Sequence, residues 1–136
     1  MTDHLFQKDF ISTQDWRVDD LRTAIDVALR LKSERHAGQV HDQILRAKTR
    51  YMLFFEESTR TRNSFETGMT QMGGHAIYYT ASDGKIGVRE SVEDVGRVFD
   101  RYLDILALRV FSHDHLVTCS RSWARVKPAT GASGEI

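Results

Sequence analysis

The sequence predicts an α/β fold in which a parallel sheet is flanked by helices. Three short apolar runs, at residues 51–55, 75–80 and 105–110, are strand candidates, and the first lacks the clean alternation of a strand with one wet face. A segment with helical spacing of apolar residues precedes each run. The resulting order is helix, strand, helix, strand, helix, strand, which is typical of parallel sheets with helical crossovers.

The first helix is predicted from about residue 19, where two aspartates suit a helix N-terminus, to Gly38, which suits its end. Its apolar residues recur at the spacing of one helix face: Leu21, Ile25, Ala28 and Leu29. The second helix is predicted over residues 59–72 and ends at Gly73 and Gly74. The third begins at Ser91, which with Asp94 resembles a capping box, and runs to about Leu103.

Composition limits the class of protein. The chain has 136 residues, 40% of them hydrophobic, which suits one domain with a buried core. Lysine and arginine together number 19, as do aspartate and glutamate, and this balance disfavours a general nucleic-acid or membrane-surface binder. Cys119 is the single cysteine, and the sequence has no signal-peptide pattern or spanning apolar run, so we expect a cytoplasmic protein.

The stretch from Ser58 to Arg62, with the sequence STRTR, alternates hydroxyl side chains with arginines at the predicted junction of a strand and a helix. Ligands of open parallel sheets lie beyond the carboxyl ends of the strands, and the first turn of a helix attracts anions. Arginine adds a planar fork that can hold two phosphate oxygens. The stretch therefore predicts a site for a small phosphate, although it is not a nucleotide P-loop. The competing interpretation is a capped helix with surface arginines.

This stretch resembles the carbamoyl-phosphate-binding domain of the aspartate and ornithine carbamoyltransferases, whose S-T-R-T-R signature is intact and is followed by Ser64, Phe65 and Glu66. Flanking pieces at residues 73–76, 86–91 and 104–109 support the likeness, and the first two lean towards the ornithine enzymes.

The resemblance implies binding roles for particular residues. The phosphate group of carbamoyl phosphate would be bound by Ser58, Thr59, Arg60 and Thr61. Arg109 would bind phosphate and the carbamoyl oxygen, and Arg60 and Arg109 would be the catalytic pair. Lys85 lies in a loop that in this family reaches the adjacent subunit's active site. The family is built on catalytic trimers, so the resemblance implies a homotrimer. Arg62 could bind the ligand or pair with Glu57 or Glu66.

The implied reaction is carbamoyl transfer to the amine of ornithine, giving citrulline, or less favourably of aspartate. It needs no metal or organic cofactor, because alignment of the two reactants and stabilisation of developing charge supply the catalysis.

The chain also departs from the family pattern. The likeness extends from about Trp16 to Arg109 and fades after about Leu116. Residues 1–116 are interpreted as the N-terminal part of the carbamoyl-phosphate-binding domain, and residues 117–136 are expected to form a divergent, irregular tail. The family's His-Pro-x-Gln element does not occur, and the amino-acid-binding domain is expected to be absent. A truncated or frameshifted gene product and a deliberate fragment both account for this. The alternatives to an enzyme are a non-catalytic phosphate-binding fragment and a non-functional remnant.

Overall fold

A computed structural model describes residue 5 and residues 8–80, 91–99 and 101–123. Its regular elements alternate as the sequence predicts. After a short 3-10 helix at Thr13–Asp15 they are α1 (Val18–His36), β1 (Thr49–Phe54), α2 (Thr59–Gln71), β2 (His75–Thr80), α3 (Val92–Phe99), β3 (Ile105–Arg109) and α4 (His113–Trp123). None of the helices in these ranges is long and apolar enough to span a membrane.

The three strands form one parallel sheet in the order β2-β1-β3, which confirms the predicted fold class. The central strand β1 ends at Phe54, which lies opposite Thr80 of β2 and Arg109 of β3. All three carboxyl ends therefore share one edge of the sheet. The chain leaves β1 towards β2 and later returns to the other side of β1, so β1 is the point where the strand order reverses, the usual ligand position in open α/β sheets.

One face of the sheet is covered by α3. Tyr51 and Leu53 of β1 pack with Val95, Phe99 and Leu103, and all five side chains are buried. The rings of Tyr51 and Phe99 are 4.3 Å apart between centroids, a favourable tilted contact. The apolar side chains of α3 lie on this inner side because Val95 and Phe99 are four residues apart, one helical turn.

The other face is covered by α2. Met52 and Phe54 alternate with the residues of the first face and are fully buried, as is Met69 near the end of α2. The Phe54 ring meets Tyr78 of β2 edge to face, with centroids 5.3 Å apart. The central strand is thus buried on both sides, which explains why its sequence is a continuous apolar run.

Charged side chains hold the edge where the strands begin. Asp104 accepts hydrogen bonds from the Lys48 ammonium at 2.7 Å and from the Thr49 backbone N–H at 2.8 Å. The bond from Lys48 is the main reason that the pKa of the Asp104 carboxyl lies below its usual value. On the α2 face the Arg50 guanidinium lies 3.6 Å from the centre of the Phe65 ring, and burial lowers its pKa. This edge is opposite the one where β1 runs into α2.

The two glycines at the end of α2 are required by a close approach of two backbones. Gly73 has φ +82°, and a Cβ atom there would overlap the backbone carbonyl of Asp42. A Cβ at Gly74 would press on Met69 and on the carbonyls of Leu45 and Lys48. The prediction that the helix ends at these glycines is correct. Glycine is required there because the backbone of the loop that precedes β1 leaves no room for a Cβ atom.

Helix α1 has the predicted extent but does not bury the predicted apolar face. Ile25 and Leu29 are each 59% exposed, whereas Asp20, on another side of the helix, is buried. An amphipathic helix ordinarily turns its apolar stripe to a core. Among the residues that the structure describes, no element covers this stripe.

The prediction of an irregular tail over residues 117–136 is wrong for residues 117–123, which belong to α4; residues 124–136 lie outside the described part of the chain. The backbone N–H of Asp114 donates to the Ser112 hydroxyl at 3.2 Å, which starts the helix, and α4 then packs along α3. Within α4, the side chains of Leu116 and Val117 are half-buried. The helix carries too few apolar residues to reveal itself by periodicity, and its packing on α3 supplies the missing stabilisation.

Candidate functional site

The candidate site lies where β1 runs into α2. Three residues after Phe54 lead to Ser58, which is the N-cap residue of α2 and has extended backbone angles. Its hydroxyl does not cap the helix: it donates instead to the Thr61 hydroxyl oxygen at 3.0 Å. The first turn also carries no acidic side chain. The N–H groups at the start of α2 therefore keep their capacity to bind an anion, supported by the positive end of the helix dipole.

Arg60 projects from this first turn. Its side chain is exposed and has no ion-pair or hydrogen-bond partner within the described ranges. Thr59 is also exposed, whereas Ser58 and Thr61 are half-buried. A free guanidinium beside uncapped N–H groups is suited to hold a phosphate by two parallel hydrogen bonds.

Arg109 is brought to the same edge by the neighbouring strand. It ends β3 opposite Phe54, and its carbonyl accepts a hydrogen bond from the Phe55 N–H at 2.8 Å, which extends the sheet by one step towards the loop. Its guanidinium Nη2 lies 3.4 Å from Oε2 of Glu56, so the side chain reaches the loop between β1 and α2. The sequence predicted this convergence of Arg109 and the hydroxyl–arginine turn, and parallel pairing explains it.

Arg62 contacts neighbouring protein side chains. Its Nε donates to Oε1 of Glu66 at 2.8 Å, and its guanidinium stacks 4.0 Å from the centre of the Tyr78 ring. Of the alternatives for Arg62, the structure favours pairing with Glu66 and excludes an ion pair with Glu57 in the described conformation. Arg62 thereby ties the first turns of α2 to β2 through charge and ring stacking.

A cleft of about 230 Å³ opens beside the turn. Its lining consists of Glu57, Ser58, Thr59, Arg62, Asn63, Glu66 and Tyr78. Asn63 and Tyr78 were not predicted as site residues, because neither lies in a recognisable motif. The position of Tyr78 two residues before Thr80, the buried end of β2, was the available signal, since that strand ends at the same edge.

The structure brings together five of the six predicted ligand residues at one edge of the sheet: Ser58, Thr59, Arg60, Thr61 and Arg109. Lys85, the sixth, lies outside the described residues. Glu56, which faces Arg109, was missed, because the sequence separation of 53 residues gives no sign of the contact.

Comparison with known proteins places this geometry among carbamoyltransferases. The family model described as aspartate/ornithine carbamoyltransferase, carbamoyl-P binding domain, matches residues 8–131. An ornithine carbamoyltransferase from Syntrophotalea carbinolica is 42% identical over 108 residues, covering 79% of this chain and 35% of that protein. The ornithine carbamoyltransferase from Symbiobacterium thermophilum is 38% identical over 128 residues, which cover 94% of this chain and 41% of that protein. The chain thus spans well under half the length of these curated relatives.

Solved structures agree with the sequences. Ornithine carbamoyltransferase from Pyrococcus furiosus superposes with a TM-score of 0.81 at 34% identity, over 85% of this chain and 36% of that one. The catalytic subunit of M. jannaschii aspartate transcarbamoylase superposes with a TM-score of 0.72 at 30% identity, over 82% of this chain and 36% of that one. Both kinds of enzyme therefore share this fold with the chain.

Proposed function

The chain belongs to the aspartate/ornithine carbamoyltransferase family, as part of its carbamoyl-phosphate-binding domain, and we propose that it binds carbamoyl phosphate at the start of α2. The phosphate is held by the N–H groups and hydroxyls of Ser58, Thr59 and Thr61 and by the Arg60 fork. Arg109 closes the site from β3 and contacts the phosphate and the carbamoyl oxygen. The single observation that carries the proposal is the uncapped, cationic first turn of α2 beside the end of β3.

In a complete chain, the reaction we propose is transfer of the carbamoyl group to an amino-acid amine. An uncharged amine attacks the carbamoyl carbon and a tetrahedral intermediate forms. Inorganic phosphate then leaves with the electrons of the broken C–O bond and takes up the proton that the attacking nitrogen loses. Arg60 and Arg109 stabilise the charge that develops on the leaving phosphate and the carbonyl oxygen. The remaining acceleration comes from holding the two reactants in line.

Ornithine is the favoured acceptor, and its carbamoylation gives citrulline. Arginine metabolism is the proposed setting of this reaction. The curated relatives named above are ornithine carbamoyltransferases, although structures of aspartate enzymes also match. We also propose assembly as a homotrimer, in which Lys85 reaches the site of an adjacent subunit. A cytoplasmic location accompanies this proposal, and the single cysteine of the chain is compatible with it.

A second candidate function is binding of carbamoyl phosphate without turnover. The matched family domain is the carbamoyl-phosphate-binding one, and it accounts for residues 8–131. Because carbamoyl-phosphate binding is the one activity in that domain's description, we propose that the chain by itself holds this reactant without transferring its carbamoyl group.

Calorimetric titration with carbamoyl phosphate tests the shared part of both candidates. We expect saturable binding by the unaltered chain and a loss of affinity of about 10- to 100-fold in Arg60→Ala, because a charge-assisted phosphate contact is removed. Arg22→Ala is the matched control: that arginine is exposed on α1 and should leave affinity unchanged. Equal affinities in Arg60→Ala and the unaltered chain would contradict the proposed site.

A product assay separates the two candidates. The chain is mixed with carbamoyl phosphate and either ornithine or aspartate, and citrulline or carbamoyl-aspartate is measured. Product formation that Arg60→Ala abolishes supports the transferase. Binding without either product supports the non-catalytic candidate.

A further inference from the structure

The first turn of α2 lacks a side-chain cap that would hold its shape. The hydroxyl of the N-cap residue Ser58 bonds to the Thr61 hydroxyl rather than to a backbone N–H, and the turn carries no acidic side chain. An uncapped helix start frays readily, and a frayed turn does not present its N–H groups together to an anion. A phosphate site at this turn therefore needs support from another element of the fold.

Arg62 connects the first turn of α2 to the sheet. Its backbone N–H donates to the Ser58 carbonyl oxygen at 3.0 Å, and this hydrogen bond closes the turn on its N-cap residue. Its guanidinium carbon lies 4.0 Å from the centre of the Tyr78 ring of β2. Its Nε also donates to Oε1 of Glu66 at 2.8 Å, which restricts the guanidinium to one orientation. The residue that closes the turn is thus the residue whose side chain is fixed against β2.

The Tyr78 ring is itself held in place from the core. It is half-buried, and the Phe54 ring meets it edge to face with centroids 5.3 Å apart. Phe54 is 2% exposed and is the last residue of β1. A continuous set of contacts therefore runs from Phe54 through Tyr78 to Arg62. It joins the last residue before the loop to the residue that closes the helical turn after the loop.

We propose that Tyr78 is a positioning residue for the phosphate site: its ring holds Arg62, and through Arg62 it keeps the first turn of α2 in the conformation that binds phosphate. This inference rests on the proposed function and deepens it, because it makes a residue of β2 a determinant of phosphate affinity without contact with the ligand. The ring face supplies the contact with the guanidinium, so the hydroxyl is not required. Tyr78→Phe therefore preserves the site, whereas Tyr78→Leu does not.

The neighbouring Tyr79 provides a matched control for the loss of an aromatic ring. It is also half-buried on β2, but it faces the other side of the sheet, where its ring centroid lies 6.1 Å from that of Tyr51. Tyr79→Leu makes the same chemical change as Tyr78→Leu in the same strand. A general loss of strand packing therefore appears in both leucine variants, and only the loss of support for Arg62 is specific to Tyr78→Leu.

The test is a titration of the unaltered chain and each variant with inorganic phosphate and with carbamoyl phosphate, followed by two-dimensional amide NMR. NMR also shows whether each variant is folded. We expect Tyr78→Leu to bind phosphate about three- to tenfold more weakly than the unaltered chain, the change that loss of one cation–π contact gives. Tyr78→Phe and Tyr79→Leu should bind phosphate as the unaltered chain does.

Arg62→Met tests the same contact with both rings in place, and so decides the question if Tyr78→Leu does not fold. We expect it to weaken phosphate binding by a similar factor. Adding Tyr78→Leu to Arg62→Met should cause no further loss, because there is no guanidinium to hold. Arg97→Met, which removes an equal charge from an exposed position on α3, should leave phosphate affinity unchanged.

Four outcomes would overturn the inference. Unchanged affinity in both Tyr78→Leu and Arg62→Met would mean that the turn needs no support. An equal loss in Tyr79→Leu would mean that only general packing matters. A loss in Tyr78→Phe would mean that the hydroxyl acts. Tighter binding by Tyr78→Leu would mean that a released Arg62 contacts the ligand itself. If the folded, unaltered chain binds no phosphate, the proposed function itself fails, which distinguishes that result from the other four.

Discussion

At the scale of single residues, Tyr51 is a titratable core residue whose burial has a measurable consequence. Tyr51 lies beneath α3 among apolar side chains, and burial, with smaller effects from Tyr79 and Tyr102, raises the pKa of its hydroxyl to about 12. The tyrosine pKa in an unfolded chain is about 10. The unfolded state therefore loses its proton first as the pH rises.

We expect Tyr51 to make the fold less stable in alkali. Its contribution is fully present below pH 10 and is lost between pH 10 and about 12, where stability should fall by about 1.4 kcal/mol per pH unit. The measurement is the free energy of unfolding by denaturant as a function of pH for the unaltered chain and Tyr51→Phe. Since phenylalanine cannot ionise, the variant should gain on the unaltered chain above pH 10. Parallel curves for the two proteins would refute the assignment.

Residue identity alone predicted much of the candidate site. The hydroxyls and arginines of Ser58 to Arg62 were recognisable because their chemistry is local to one turn. The pairing of Glu56 with Arg109 was not, since it depends on strand register across 53 residues. Similarly, the ligand, Glu57 and Glu66 were all open as partners of Arg62, and only the structure shows the ion pair with Glu66.

At the scale of elements, the strands were predictable because a strand buried on both faces leaves a continuous apolar run. The predicted run of residues 51–55 differs from β1 (Thr49–Phe54) only at its ends, and β2 begins and ends as predicted. The faces of the helices were less predictable. Periodicity gives an apolar stripe for α1 but does not say whether any element covers it.

Two leucines test the contrast between β1 and α1. Leu53 is 2% exposed in the core, and Leu53→Ala should lower the free energy of unfolding by about 2–5 kcal/mol through lost burial and a cavity. Leu29→Ala, in the exposed stripe of α1, should change it by less than about 0.5 kcal/mol. Denaturant unfolding of both variants measures this. A cost for Leu29→Ala like that of Leu53→Ala would show that the stripe is covered in solution.

The junction of α2 and β2 gives a second prediction at this scale. Gly73 and Gly38 both have a positive φ, but only at Gly73 would a Cβ overlap a neighbouring backbone, that of Asp42. Gly38→Ala should therefore cost about 1–2 kcal/mol of stability from the left-handed backbone alone. Gly73→Ala should cost at least about 3 kcal/mol, because the backbone of the loop must also move.

Thermal and denaturant unfolding of the two glycine variants provide the comparison. Equal losses would mean that the approach of residue 73 to residue 42 does not constrain the fold. Gly38 is not part of the candidate site, so we expect Gly38→Ala to bind phosphate as the unaltered chain does. Phosphate titration of this variant tests whether backbone strain at Gly38 leaves the first turn of α2 intact.

At the scale of the whole molecule, the parallel topology explains why the chemistry lies where it does. The three parallel strands have their carboxyl ends on one edge of the sheet. The order β2-β1-β3 reverses at β1, and this reversal leaves a crevice for a ligand at that edge. The charges at the opposite edge, around Asp104, hold the starts of β1 and β3 together. The starts of the strands thus stabilise the sheet, and we propose that the ligand binds at the opposite, carboxyl ends of the same three strands.

The family relationship agrees with this division. The matched domain is one that binds carbamoyl phosphate, and the chain covers 36% of each of the two solved structures compared above. The sequence predicted both the family and the fold, because the signature turn and the alternation of elements are local. It missed α4 within residues 117–123, since that helix depends on packing against α3.

The central claim is that the first turn of α2 and the end of β3 together bind carbamoyl phosphate. Its most direct test is to titrate the isotope-labelled chain with carbamoyl phosphate and follow the backbone amides of Thr59, Arg60 and Thr61 and the guanidinium of Arg109 by NMR. We predict saturable shifts at these four residues with one dissociation constant, and their loss in Arg60→Ala. A folded chain in which these signals do not move, or move only linearly with ligand concentration, would contradict the account.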